Sequence, residues 1–296
     1  MRRIIRVLVV AVLAAWSARH GVAWEFGQPL DLSALSEIHD APGNEFDGAP
    51  FESVACGSSA CGPRLYVSGI VGASFASLTT AGGPNSDPFW NPAVFSGAVN
   101  DTLFTGGGAI GLAIPRPSGA LRVEFEGRGR DLQDGVESVR VTPAFGAPFS
   151  LPNQVRAADG WSTLANVWRD IQLTDSAGIY LGGGIGGGGY RLSTLAAFDG
   201  LGASVHTCGC ESVATFAWQA GTGIFWNVSD RISLDLGYRF LGISPKNSAL
   251  FYDGPYPTDA GIVNVTDQPY GTLRTAFSAS ELLLSVRIYE PFRRWR

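Results

Sequence analysis

Ile232-Ser-Leu-Asp-Leu-Gly-Tyr-Arg-Phe240 alternates without a break: Ile232, Leu234, Leu236, Tyr238 and Phe240 are apolar, and Asp235 and Arg239 fall between them. A period of two is a β-strand with one apolar and one polar face. One such strand also suits a soluble sheet. The deciding point is that other segments repeat the pattern, again with charges on the polar face. A charged interior within an apolar exterior is the construction of a membrane barrel.

Eight segments read as strands. Leu65–Phe75 turns Leu65, Val67, Val71 and Phe75 to one face, and Phe104–Ile114 does the same with Phe104, Ile110, Leu112 and Ile114. In Ala120–Arg130, Leu121, Val123 and Phe125 oppose Arg122, Glu124, Glu126 and Arg128. Thr163–Leu173 presents Ala165, Val167 and Ile171 outward, with Arg169 near its end; Ile179–Tyr190 presents Ile179, Leu181 and Ile185 among glycines. Ala214–Trp226 sets Phe216, Trp218, Ile224 and Trp226 against Gln219. Ile232–Leu241 is the seventh. In the eighth, Glu281–Tyr289, Leu282, Leu284, Val286 and Ile288 oppose Ser285 and Arg287.

Connections alternate in length. Pro115–Gly119, Thr174–Gly178 and Asn227–Arg231 are short and rich in turn residues. Those starting near Ala76, Asp131, Arg191 and Gly242 run about twenty to forty residues, as in barrels with tight periplasmic turns and long extracellular loops. Strands of about nine to eleven residues suit a tilted crossing of the hydrocarbon layer, and closure satisfies every backbone group where no water can. The fold class is all-β, an eight-stranded antiparallel up-and-down transmembrane β-barrel. Trp218, Trp226, Tyr238 and Phe240 lie near strand ends, where interfacial aromatic girdles belong. A lipocalin-like soluble barrel would need the reverse arrangement of charged and apolar faces.

The ends of the chain point to export. Arg2, Arg3 and Arg6 precede an apolar stretch from Val7 to Trp16, and Gly21-Val22-Ala23 offers a small-residue cleavage site, so residues 1–23 read as a signal peptide. Cleavage after Ser17 is a second possibility. Residues 24–63 lack periodicity and carry Asp31, Glu37, Asp40, Glu45, Asp47 and Glu52, an acidic extension ahead of a barrel at 64–296. Cys56 and Cys61, and Cys208 and Cys210, are candidates for local disulfides in an oxidising compartment, with metal binding as the alternative. A net charge of −5, a single lysine (Lys246) and no basic aromatic cluster give no case for nucleic acid.

Several motifs resemble a known family. Phe216-Ala-Trp-Gln-Ala-Gly-Thr-Gly-Ile-Phe-Trp-Asn-Val-Ser-Asp-Arg-Ile-Ser-Leu-Asp-Leu-Gly-Tyr-Arg-Phe240 looks like the penultimate hairpin of opacity-type outer-membrane proteins, which share the OmpA-like eight-stranded architecture. Asn166-Val-Trp-Arg-Asp170 is similar to their fourth strand, Tyr180-Leu-Gly-Gly-Gly-Ile-Gly186 to their fifth, and Leu282-Leu-Leu-Ser-Val-Arg-Ile-Tyr289 to their last. The resemblance spans Leu65 to Tyr289. It implies a place in the outer membrane of a Gram-negative cell envelope, with membrane lipids and the barrel-insertion machinery as partners. The chain departs from the family in three places. Arg-Arg-Trp-Arg296 follows Phe292 where a terminal aromatic is usual, Ser285 replaces a glycine, and the cysteine-bearing extension is longer.

Chemistry is sparse in the sequence. Ser204-Val-His206-Thr, with Glu211 following, is the one faint constellation for activating a nucleophile. A lipid-modifying outer-membrane enzyme is thus a remote alternative, and the chain is expected not to be an enzyme. Gly182–Gly189 lacks the helix and Gly-Lys-Ser/Thr of a phosphate loop, so no cofactor is expected; glycine here relieves crowding within a narrow barrel. Arg122, Glu124, Glu126, Arg128, Gln219, Asp235, Arg239 and Arg287 are the expected lumen-lining residues. No metal site is expected among them. An eight-stranded interior is about wide enough for side chains to fill. The leading expectation is a structural or surface-interaction role. It would act through loops carrying Phe89, Trp90, Phe145, Phe149, Phe251, Tyr252 and Tyr256, which could meet a surface ligand. The alternative, implied by the family's porin label, is a narrow channel lined by Arg, Glu and Asp.

Overall fold

The computed structural model describes residues 62–84, 93–131, 133–141, 147, 149–198, 202–207, 211–258 and 260–292. The expected signal peptide, acidic extension and four cysteines lie outside these residues, as do Phe89, Trp90 and Phe145.

All regular structure among the described residues is β. Ten segments follow in chain order: β1 (Arg64–Pro84), β2 (Ala93–Arg116), β3 (Gly119–Arg130), β4 (Gln133–Val141), β5 (Phe149–Gln172), β6 (Ala177–Phe198), β7 (Ala203–Thr207), β8 (Glu211–Asn227), β9 (Ile232–Thr258) and β10 (Gly261–Tyr289). Pairing runs β1–β2–β3–β5–β6–β8–β9–β10 and returns from β10 to β1, antiparallel throughout. That ring is an eight-stranded up-and-down barrel. β4 and β7 add no staves. β4 continues the line of β3, because β5 pairs with Arg130 at Gly160 and with Gln133 at Ala157. β7 precedes β8 in the same way, facing β6 from Ala203–Phe198 to His206–Leu195.

One end of the barrel is tight. Pro117 and Ser118 link β2 to β3; proline suits the first central position of the turn, and positive φ follows at Ser118 (φ 64) and Gly119 (φ 142). At the β5–β6 turn, Thr174 Oγ1 accepts from the Ala177 amide at 3.0 Å. The β8–β9 turn is closed by the Val228 amide donating to the Ile232 carbonyl at 2.9 Å. Barrel entry and exit meet at this same end: Arg64 lies over the Tyr289 ring at 4.7 Å, and the Glu290 amide donates to the Leu65 carbonyl at 2.7 Å.

All eight expected strands are present, and most run far beyond their expected ends; β3 itself does not, but β4 continues its line. At about 3.3 Å per residue, the 29 residues of β10 run ~95 Å, roughly three times a membrane crossing of about ten residues. Most of what was expected to be four long extracellular loops is therefore strand. β1 and β2 stay paired up to Gly82–Phe95, and β9 and β10 up to Thr258–Gly261. Their solvent-side backbone groups are satisfied by one another rather than by water, which keeps the sheet growing beyond the lipid.

The outer wall changes character along its height. Next to the tight end it is an apolar belt: Leu112, Val123, Phe125, Val167, Leu181, Ile224, Leu234, Leu236, Leu282, Leu284 and Val286 are all exposed. The belt ends on aromatics, with Phe75, Phe104, Trp161, Phe216 and Trp218 exposed, and Trp218 set against Phe240 with ring centroids 5.5 Å apart. Trp226 is exposed at the opposite edge. Beyond the aromatics most outward positions are polar, among them Ser77, Thr79, Thr102, Asn100, Arg156, Ser212, Arg274 and Thr272, with Val136 and Leu195 as exposed apolar exceptions. That face suits water.

Candidate functional site

The interior consists of two stacked layers, and the lower one is charged. Inside the apolar belt, β3 projects Arg122, Glu124, Glu126, Arg128 and Arg130 inward from every second position. The other strands contribute Asp170, Gln219, Asp235, Arg239, Glu281 and Arg287, also buried. Five arginines meet five carboxylates, so the layer is neutral as a whole.

Near the tight end, Arg122 Nε donates to Asp170 at 2.9 Å, and Arg287 binds both Asp170 (3.2 Å) and Asp235 (2.5 Å). Ser285 donates to Asp235 at 3.0 Å. Higher up, Arg128 bridges Glu126 and Glu281, Arg130 reaches Glu281 at 2.9 Å, and Arg239 pairs with Glu126. Glu124 lies between the two clusters and accepts from Tyr66 Oη (2.6 Å), Trp168 Nε1 (2.7 Å) and Asn166 Nδ2 (3.1 Å). Asn166 also donates to Glu126 and accepts from Gln219, whose own carbonyl oxygen takes a hydrogen bond from Arg128 at 2.6 Å. Most of these ions have more than one partner, the condition under which buried charge is tolerable. Arg122 Nη2, Arg130 Nη2, Arg239 Nε and Arg287 Nε make no hydrogen bond among the described residues. Arg239 also lies over Trp168 at 4.7 Å.

Glycine makes room for this layer. β6 opposes β5 with Gly182 and Gly184, and a Cβ on Gly184 would collide with Asn166 Oδ1, while one on Gly182 would crowd the Trp168 ring at 2.8 Å. The glycine tract is the complement of large polar side chains on the neighbouring stave.

The upper layer is mainly apolar, with a buried carboxylate at its margin. Glu137 accepts from Asn153 Nδ2 at 2.7 Å and from Thr80, and Gln133, Thr194 and Thr207 are buried nearby. Leu78, Val99, Leu103, Val155, Ala157, Leu164, Tyr190, Leu192, Val205, Val213, Leu241, Leu250, Leu273 and Phe277 pack into one buried cluster. The Tyr190 hydroxyl is retained by Thr275 at 2.9 Å. Above the belt the barrel is therefore built like a soluble one, apolar inside and polar outside, the arrangement that the sequence reading set aside. The tall strands carry both arrangements, one above the other.

Each of the eight residues expected to line the lumen is buried inside the barrel. Sequence reasoning passed over Arg130, Asp170 and Glu281, which complete the charge balance, and the uncharged members Tyr66, Asn166 and Trp168. The signal was available: Arg130 shares the phase of Arg128, and Glu281 that of Ser285 and Arg287. Of the loop aromatics within the described residues, Phe149 opens β5 and Phe251, Tyr252 and Tyr256 belong to β9; Tyr252 is buried and stacks on Tyr270 at 6.2 Å.

A closed ring, a lipid-facing belt and an ion-paired interior together define a transmembrane β-barrel of the outer-membrane type. No family model matches the chain, and no curated protein matches it in sequence. Among solved structures it is similar to Neisserial surface protein A (13% identity, TM-score 0.31, covering 76% of this chain and 96% of that one). It is also similar to the outer membrane protein OprG from Pseudomonas aeruginosa (9%, TM-score 0.34, 74% and 95%). A third is the outer membrane protease OmpT from Escherichia coli (6%, TM-score 0.37, 76% and 96%). With scores this low the barrel assignment rests on the ring itself.

The protease corrects one expectation: an enzyme stands among the similar barrels, so the exclusion of catalysis does not hold. At 6% identity the likeness assigns this chain no such activity. The exclusion had also weighed His206 only against its sequence neighbours. The structure sets it beside Asp253 and Asp267, from the β9–β10 hairpin.

Proposed function

We propose that this protein is a surface structural or interaction module of the outer membrane whose lumen is closed to solutes. The observation that carries this reading is the stacking of two filled layers. A solute would have to break the neutral ion-pair network and then cross an apolar core that includes Leu192, Leu241 and Leu273, each fully buried. Charged rings select ions only where water can follow. In the upper layer the buried polar groups, Glu137 with Thr80 and Asn153, and Thr194 with Thr207, are bonded to one another beside the packed apolar cluster.

What remains available for function is the part beyond the belt. The outer wall there is polar, and the β9–β10 hairpin extends past its neighbours. From Gly261 to Pro269 every residue of β10 but Val265 is exposed, Ile262 at 77%. A projecting two-stranded ribbon with an apolar residue near its tip suits contact with a partner at the cell surface.

Planar-bilayer conductance of the refolded chain tests the closed lumen, using material whose gel mobility shifts on boiling. Silence is the expected result. Discrete steps that change size or selectivity in Arg239→Ala would overturn the reading in favour of a narrow channel.

A further inference from the structure

We propose that His206, Asp253 and Asp267 form a binding site for a divalent transition metal of the zinc class, on the outer face of the barrel above the membrane belt. The three residues come from three neighbouring strands. His206 on β7 stands opposite Phe251 on β9, and Asp253 opposite Ser204, so His206 and Asp253 share the outward face two rungs apart. β10 supplies the third. Its register against β9 shifts between Val265 and Gln268, and Asp267 within that irregularity has φ 53, so it leaves the ladder and turns toward the other two.

The three side chains lie within reach of one another. Asp253 Oδ2 is 3.5 Å from His206 Nδ1, and Asp267 Oδ1 is 3.4 Å from His206 Nε2. One donor atom from each residue can be chosen so that all lie within 4.8 Å of one another. The two carboxylates approach different ring nitrogens, and a metal takes only one of them. Zinc bonds of about 2.0–2.2 Å in a tetrahedron put donor atoms roughly 3.4 Å apart. Binding therefore requires the exposed Asp267 side chain to swing to the Nδ1 side, or the ring to turn. The Asp267 amide donates to Asp253 Oδ1 at 2.7 Å. That hydrogen bond orients the carboxylate and leaves its other oxygen toward the imidazole, as outer-shell donors do around metal ligands. The imidazole lies beside the Phe251 ring, centroids 6.1 Å apart, which restricts its rotation.

The donors select the ion. Calcium and magnesium take all-oxygen shells, whereas one imidazole with two carboxylates suits zinc or a similar borderline ion. Three protein ligands leave a position open to water, and Asp267, with 79% of its side chain exposed, faces the outside medium from which the ion would come. Occupancy would tie β7 to the base of the projecting hairpin. The competing arrangement is an imidazolium clamped between two carboxylates, without an ion.

Zinc titration of the refolded full chain decides between them. It is run in a Cys56→Ser/Cys61→Ser/Cys208→Ser/Cys210→Ser background, so that thiols contribute nothing. One zinc per chain is expected, with calcium failing to compete. His206→Ala, Asp253→Asn and Asp267→Asn should each weaken binding by about ten- to a hundred-fold. Bound zinc should also raise the temperature at which the folded gel mobility is lost. Absence of zinc binding in that background would overturn the proposal. So would affinity unchanged in folded His206→Ala, or displacement of zinc by calcium.

Discussion

Replacing Glu281 with Gln keeps the side chain's size and removes one charge from the lower layer. In the native barrel this carboxylate is fully buried and receives Arg128, Arg130 at 2.9 Å and the Ser74 hydroxyl at 3.3 Å. The substitution leaves five arginines facing four carboxylates, with Arg128 and Arg130 short of a counter-charge. Removing one member of a buried pair costs about 3–5 kcal/mol, because the remaining ion stays desolvated. With a urea slope of about 3 kcal/mol per molar, the unfolding midpoint should fall by ~1–1.7 M. The assay is equilibrium unfolding from phosphatidylcholine vesicles, followed by the fluorescence of Trp161, Trp218 and Trp226, which leave the lipid as the barrel opens. Glu281→Gln combined with Arg130→Gln restores neutrality, and the pair should fall short of additivity by at least about 1 kcal/mol. A single-variant cost below about 1 kcal/mol with additive behaviour in the pair would refute the argument. It would mean that water screens the layer and that the lumen is not closed there.

Three further substitutions probe the other surfaces with the same assay. Leu192→Ala truncates a fully buried side chain of the upper layer and should cost about 2–5 kcal/mol; a value near zero would mean that β6 beyond the belt does not hold a packed core. Leu284→Arg places a charge near the middle of the lipid-facing belt and should cost about 2–4 kcal/mol. Thr79→Arg, on the outer wall beyond the belt, should stay within about 0.5 kcal/mol. Equal costs for these two arginine variants would put the belt boundary in the wrong place.

The membrane-spanning half of this barrel is legible in the sequence because lipid enforces strict alternation. Leu282, Leu284, Val286 and Ile288 are outward for the same reason that Arg287 is inward, and a reader needs only the period. Above the belt the phase changes. In β1 the outward apolar residues Val71 and Phe75 give way to the inward Ala76 and Leu78, and in β2 the inward Val99 and Leu103 lie beyond the outward Phe104. In β5 the register shift between Ala158 and Trp161 moves inward positions from Ser162 and Leu164 to Ala157 and Val155. A search tuned to one phase meets these segments as broken periodicity, hence the expectation of loops. The charged layer was largely readable, since its members share β3 or the phase of a neighbour. The contact of His206 with Asp253 and Asp267 was not, because it depends on the register of strands whose upper halves the sequence did not reveal.

The inversion of layers follows from what surrounds each height of the wall. Within the bilayer, moving an aliphatic side chain from the lipid face to the lumen gains little, because hydrocarbon lies on either side. Apolar residues can therefore all face outward, and the narrow interior is left to groups that specify one arrangement by direction and charge. Five arginines and five carboxylates, with Asn166 and Gln219 between them, form such a set. Beyond the lipid the outside is water, and burying apolar surface becomes the main source of stability. The same staves then turn their apolar residues inward, and the wall outside becomes Ser, Thr, Asn and Arg. Each layer is what its surroundings favour, and a lumen that changes from charged to apolar along its axis suits a rigid stem better than a conduit. The β9–β10 hairpin and the His206–Asp253–Asp267 cluster belong to this water-facing part of the wall.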